Sequence, residues 1–122
     1  MRPVLIVLAA IAVPAGLAVA DVVPPKGFTS ARTETLDVNL HYVRDGGSGE
    51  TGILLHGWPQ TWASWSEVMP LLTEDYDVIA VDLRGAGGSD TPPDGYDKAT
   101  MARDIHGLMA ELADGSAYIV GH

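Results

Sequence analysis

An α/β fold with a mostly parallel sheet is predicted by three observations. Two short continuous apolar runs, Ile53-Leu-Leu55 and Val78-Ile-Ala-Val81, are bounded by turn residues, as strands covered on both faces require. A segment of helical period follows each run, and a third strand-like run, Ser116-Ala-Tyr-Ile-Val120, completes the alternation of strand and helix. Glycine-bearing segments stand directly after each strand, at the edge where an open parallel sheet holds its ligands.

The first twenty residues run from a charged start (Met1-Arg2) through the apolar stretch Val4–Val13, then Pro14 and Gly16, to Ala18-Val-Ala20 before Asp21. That order predicts a signal peptide over residues 1–20, cut after Ala20, and an exported protein, periplasmic or extracellular. The rival is a retained membrane anchor, for which the apolar run falls slightly short of the ~20 residues of a spanning helix and is broken by Pro14. Residues 21–32, with Pro24, Pro25 and Gly27, read as an extended lead-in, and residues 33–122 as the folded part.

Thr33–Val38 and Asn39–Val43 alternate polar with apolar residues and predict a half-buried pair of adjacent strands, followed by a loop at Asp45–Gly49. After Ile53–Leu55, the residues Trp62, Trp65, Met69 and Leu72 recur at spacings of three and four. They predict one helix, with Ser64 and Glu67 as a capping box and Pro70 kinking or shortening it. A second helix is predicted from about Lys98 to Leu112, with Asp97 as N-cap, an apolar face of Met101, Ile105, Leu108, Met109 and Leu112, and a stop at Asp114-Gly115.

Without Arg2 the chain carries 6 basic against 16 acidic residues, a net charge of −10. Such a surface repels phosphate, so nucleic-acid binding is not expected, and membrane association is expected only if the amino-terminal segment is retained. There is no cysteine, which excludes disulfides, Cys-ligated zinc and a Cys nucleophile. The histidines at 41, 56, 106 and 122 lack metal-ligand spacing, and neither metal nor cofactor is expected. Gly85-Ala-Gly-Gly88 is no dinucleotide cradle, because Asp90 occupies the third glycine position.

The three strand-end segments are His56-Gly-Trp-Pro59, Asp82–Asp90 and Gly121-His122. In the first, Gly57 admits any φ, while Pro59 fixes its own and keeps Trp58 out of the α region, giving a stiff turn that can aim backbone N–H groups into a cavity. His56-Gly-Trp-Pro-Gln-Thr-Trp62, the Asp-Leu-Arg-Gly-x-Gly-x-Ser pattern of 82–89, Tyr96-Asp97 and Val120-Gly-His122 together resemble the amino-terminal half of an α/β-hydrolase. The likeness runs from about residue 28 to the end, and is strongest to epoxide hydrolases, with haloalkane and fluoroacetate dehalogenases near them.

The resemblance implies a small-molecule substrate, no cofactor, and a nucleophile on a Gly-x-nucleophile-x-Gly turn whose first two places are Gly121 and His122. The nucleophile is then expected directly after His122: Asp for an epoxide hydrolase or dehalogenase, Ser for an esterase. It also implies an oxyanion hole supplied by the N–H of Trp58, a cis Trp58–Pro59 bond, and active-site turn residues His56, Gly57 and Pro59, with His56 holding the turn. Asp82 and Arg84 are expected to fix their loop, Trp62 and Trp65 to be core, and His106 to be solvated. With neither nucleophile nor catalytic histidine among its residues, the 122-residue chain is expected to be an inactive amino-terminal portion of the fold or a non-catalytic fragment. Its last strand is expected to present an unpaired apolar edge.

Overall fold

A computed structural model describes residues 22–122; the expected signal peptide over residues 1–20 lies outside the described residues. Five strands form one sheet in the order β1-β2-β4-β3-β5: β1 Thr29–Glu34, β2 Asn39–Arg44, β3 Glu50–Leu55, β4 Tyr76–Val81 and β5 Tyr118–Gly121. β1 and β2 form an antiparallel hairpin, β2 joins β4 antiparallel, and β3 pairs in parallel with β4 on one side and β5 on the other. The parallel part with antiparallel first strands is the predicted arrangement.

Alternation along the two central strands builds two cores. Ile53, Ile79 and Val81 point to one face, where they meet Leu40, Val38, Ile105 and Leu108. Leu54, Val78 and Ala80 point to the other, where they meet Val43, Trp62 and Met69. The sheet is therefore a middle layer, which is why its central strands read as unbroken apolar runs. The helix α2, Lys98–Leu112, covers the first face, starting where Asp97 accepts the Thr100 N–H at 2.9 Å. It ends as predicted, with Ala113 and Gly115 N–H groups both returning to the Met109 carbonyl around Asp114 in the left-handed region.

Three expectations need correction. The first strand begins at Thr29, inside the predicted lead-in, and ends at Glu34. Thr35 and Val38 close the hairpin through Thr35 N–H to Val38 O at 2.9 Å, so Leu36-Asp37 is a turn rather than strand. The predicted first helix is two pieces: a 3₁₀ turn, Trp62–Trp65, and a single α turn, α1, Met69–Leu72. Pro70 lacks an N–H and fits only a first turn, so the helix restarts there. The capping box does not form, since Ser64 Oγ donates to Thr61 O and the N-cap is Thr61, whose side chain accepts from Ala63 N–H. Trp62 and Met69 are nevertheless buried, with Trp65 and Leu72 packed against the same core, because the 3₁₀ turn and α1 lie in sequence over one face. Finally, the last strand is shifted to Tyr118–Gly121. Tyr118, Ile119 and Val120 are each about half exposed, on an edge with no further strand among the described residues.

Candidate active site

The parallel strands β3, β4 and β5 deliver their carboxyl ends to one edge, and the three glycine-bearing segments meet there. Between them opens a cleft of about 720 Å³, lined by His56, Gly57, Trp58, Pro59, Gln60, Leu83, Arg84, Tyr96, Lys98, Met101 and His122, among others. Its walls come from the β3 turn, the β4 loop, the start of α2 and the end of β5.

The β3 turn is closed by Gln60 N–H to Gly57 O at 2.8 Å, around a cis Trp58–Pro59 peptide bond. His56 is buried and holds this turn to the next strand. Its Nε2 accepts the Leu83 N–H at 3.0 Å, which places the ring proton on Nδ1, and Nδ1 then donates to Gly57 O at 2.9 Å. With both ring nitrogens bonded to backbone, His56 is a strut. Trp58 has 95% of its surface exposed and stands at the cleft rim, and its N–H has no acceptor among the described residues. A free backbone donor on a rigid turn facing a cleft is suited to bind a developing negative charge.

Gln60 joins two of the segments. Its Oε1 lies 3.1 Å from the Gly57 N–H and 3.1 Å from His122 Nδ1, so it can accept from both. His122 N–H is further fixed by Leu55 O at 3.2 Å. The two segments approach so closely that a Cβ on Gly57 would come within 2.7 Å of His122 Nδ1, and the His122 ring would have to shift to admit it.

The β4 loop is organised from beneath by Asp82, which is fully buried. One carboxylate oxygen accepts the Trp62 N–H at 2.7 Å, and the other accepts the Gly88 N–H at 2.9 Å and approaches His41 Nδ1 at 2.7 Å. Gly87, at φ +50°, passes so near this carboxylate that a Cβ would overlap it. The Arg84 guanidinium is engaged by the protein itself: its Nε and Nη2 make a two-point contact with Asp104 of α2 at 2.6 and 2.7 Å, and Nη1 donates to Asp94 O at 3.2 Å. The Asp104 hydrogen bond, outweighing burial, raises the Arg84 guanidinium further above its usual range. Asp82 and Arg84 thus fix the loop as expected.

Gly121 ends β5 and His122 closes the cleft wall beside Gln60. His106 is exposed on α2, and Trp62 is core rather than cleft wall. Sequence reasoning missed Asp104 and Gln60. Asp104 lies three residues after Met101 and four before Leu108, so its carboxylate falls on the apolar face of α2, and a lone acid at that spacing was the available signal. Gln60 stood inside the His56–Trp62 motif without a role of its own; one partner, the Gly57 N–H, is three residues away, and the other, His122, is sixty-two.

A model of the alpha/beta hydrolase fold matches residues 53–122. The soluble epoxide hydrolase of Corynebacterium sp. (strain C12) is 48% identical over 83 residues, covering 68% of this chain and 29% of that protein. A fluoroacetate dehalogenase from a Burkholderia species is 41% identical over 102 residues, 80% of this chain and 33% of that one. Among solved structures, the Cif epoxide hydrolase from Acinetobacter nosocomialis superposes with a TM-score of 0.77 at 33% identity, covering 82% of this chain and 32% of the other. The chain spans about a third of the length of these relatives.

Proposed function

Because this chain belongs to the alpha/beta hydrolase fold family, we propose that it is the amino-terminal part of an enzyme that hydrolyses epoxides through an aspartyl ester. The nucleophile is the residue after His122, a reading supported by the position of His122 beside the Trp58 turn at the end of β5. Its carboxylate attacks an epoxide carbon, the ring C–O bond breaks, and the opened oxygen takes a proton. Water, activated by a histidine further along the chain, then attacks the ester carbonyl, and the oxyanion rests on the Trp58 N–H. One such donor is worth roughly a hundred- to a thousandfold in rate. The observation that carries this reading is the free Trp58 N–H on a turn that Gln60 ties to the end of β5.

A single turnover of styrene oxide by the longer protein in ¹⁸O-water tests it. The aspartyl route leaves the first diol unlabelled and puts the label in the enzyme carboxylate; ¹⁸O in the first diol overturns it. The 122 residues alone, without nucleophile or base for this reaction, should leave styrene oxide unchanged.

The fluoroacetate dehalogenase relative, which matches a larger share of the chain, supports a second reading in which the same carboxylate displaces halide. Halide release from a haloacetate without diol formation from an epoxide would select it. Ser after His122, with hydrolysis of aryl esters at that residue, would select an esterase instead. Export belongs to the same proposal and rests on residues 1–20. A mature amino terminus at Asp21 supports it, and an intact terminus in the membrane fraction favours the anchor.

A further inference from the structure

Where β1 and β2 pass the end of β4 stand three side chains, one from each, that the epoxide reading does not employ as a unit. Ser30 Oγ lies 2.5 Å from His41 Nε2, and His41 Nδ1 lies 2.7 Å from Asp82 Oδ2. Asp82 is buried and already accepts the N–H groups of Trp62 and Gly88. Both oxygens are thus engaged as acceptors, and opposite an ionised carboxylate, which only accepts, a neutral ring carries its proton on His41 Nδ1. The lone pair on Nε2 then faces the Ser30 hydroxyl. Nucleophile, base and orienting acid in this order activate a serine wherever they fall in a sequence.

The surroundings suit a reaction. Ser30 is exposed, whereas His41 is half-buried. Ser30, His41 and Asp82 line a cavity of about 350 Å³ with Val22, Pro24, Arg32 and Trp62. Arg32, two residues on, shares the Ser30 face of β1. The hairpin hydrogen bond at Thr35 and the register pairing Ser30 with Val43 and Arg32 with His41 make these two the non-hydrogen-bonded pairs. The backbone N–H of Ser30 therefore points off the free edge of the sheet, beside its own Oγ, where it can donate to an oxyanion.

We propose that Ser30, His41 and Asp82 form a second site, directed at small esters with a short apolar acyl group that Val22, Pro24 and Trp62 can cover. Ser30 Oγ bonds to the ester carbonyl carbon and its proton passes to His41 Nε2. The carbon–oxygen bond to the alcohol breaks, and the alcohol leaves with that proton. Water then adds to the acyl-Ser30 carbonyl, gives a proton to His41 and releases the carboxylic acid, restoring Ser30. This site is independent of the residue after His122; it departs, for esters, from the expectation that the 122 residues are inactive, and leaves that expectation standing for epoxides.

The test is labelling of the full chain with a fluorophosphonate, in which Ser30 Oγ displaces fluoride from phosphorus, followed by peptide mapping. Ser30 should be modified at least 100-fold faster than the exposed Ser48 and Ser116 of the same chain, which serve as internal references. That excess should vanish in urea. His41→Gln, with its far-UV circular dichroism retained, should lose the excess as well, and p-nitrophenyl acetate should leave an acetyl group on Ser30. Ser30 labelled no faster than Ser48 and Ser116, or equally fast in a folded His41→Gln chain, overturns the proposal.

Discussion

Replacing Asp104 of α2 by alanine should be among the most damaging single changes to the support of the β4 loop, and its cost follows from the geometry. Arg84 and Asp104 have side chains only 3% and 6% exposed and share two hydrogen bonds of 2.6 and 2.7 Å. In Asp104→Ala the guanidinium keeps only the Asp94 carbonyl at 3.2 Å, and a nearly buried cation is left without its counter-ion. Breaking one side of such a pair costs about 3–5 kcal/mol. With a urea dependence of about 1 kcal/mol per M, at the low end for a small chain, the midpoint falls by roughly 3–5 M, or the variant is unfolded without denaturant. Replacing both partners, as Arg84→Met with Asp104→Leu, removes the stranded charge and should recover most of the loss, because apolar substitutes for a buried pair are often neutral. The assay is urea unfolding followed by tryptophan fluorescence and circular dichroism in a full double-mutant cycle. A midpoint within about 1 M of the parent in Asp104→Ala, or strictly additive effects, would refute the reasoning.

The N-cap of α2 should respond to acid. The Thr100 hydroxyl and N–H hold the Asp97 carboxyl below its usual range. A depressed folded-state value stabilises at pH above the ordinary carboxylate range and is lost as pH falls through and below it, near pH 4. The Tm advantage of the parent over Asp97→Asn, which keeps the cap, should therefore shrink on acidification; an advantage that grows would contradict this. At the other end of the fold, the half-exposed β5 edge should drive self-association. Sedimentation should show concentration-dependent oligomers that Ile119→Lys disperses, and a soluble parent monomer with a sharp melt would count against the edge.

The features legible in the sequence were those fixed by short-range physics. β3 and β4 announced themselves because both faces of each are covered, and Asp97 and Asp114-Gly115 marked both ends of α2. The first helix misread for a related reason: the spacing of Trp62, Trp65, Met69 and Leu72 records one buried face, which a 3₁₀ turn followed by an α turn also satisfies. Periodicity reports burial, and only Pro70 reported the break. In the same way the alternation across Thr33–Val38 could not show that Thr35 and Val38 close a turn. The sequence did not show which distant residues pair, Arg84 with Asp104 and Gln60 with His122: a lone acid on the apolar face of α2 signals that it has a partner, but nothing local encodes a partner twenty or sixty residues away.

These long-range contacts explain how so few residues can hold a strand-end cleft in shape. Each strand-end segment is tied to a neighbour by a polar side chain in addition to apolar packing. His56 binds the β4 loop through the Leu83 N–H, Asp82 binds the start of the 3₁₀ turn through the Trp62 N–H, and Gln60 binds the end of β5 through His122. Hydrogen bonds suit this duty because they are directional, so a turn held by them is fixed in orientation as well as position. Apolar contacts would fill the space without fixing the orientation of the Trp58-Pro59 turn. The same economy has a consequence at Asp82: a carboxylate buried to organise a loop also orients the ring of His41, so a scaffold element of one site becomes the acid of another.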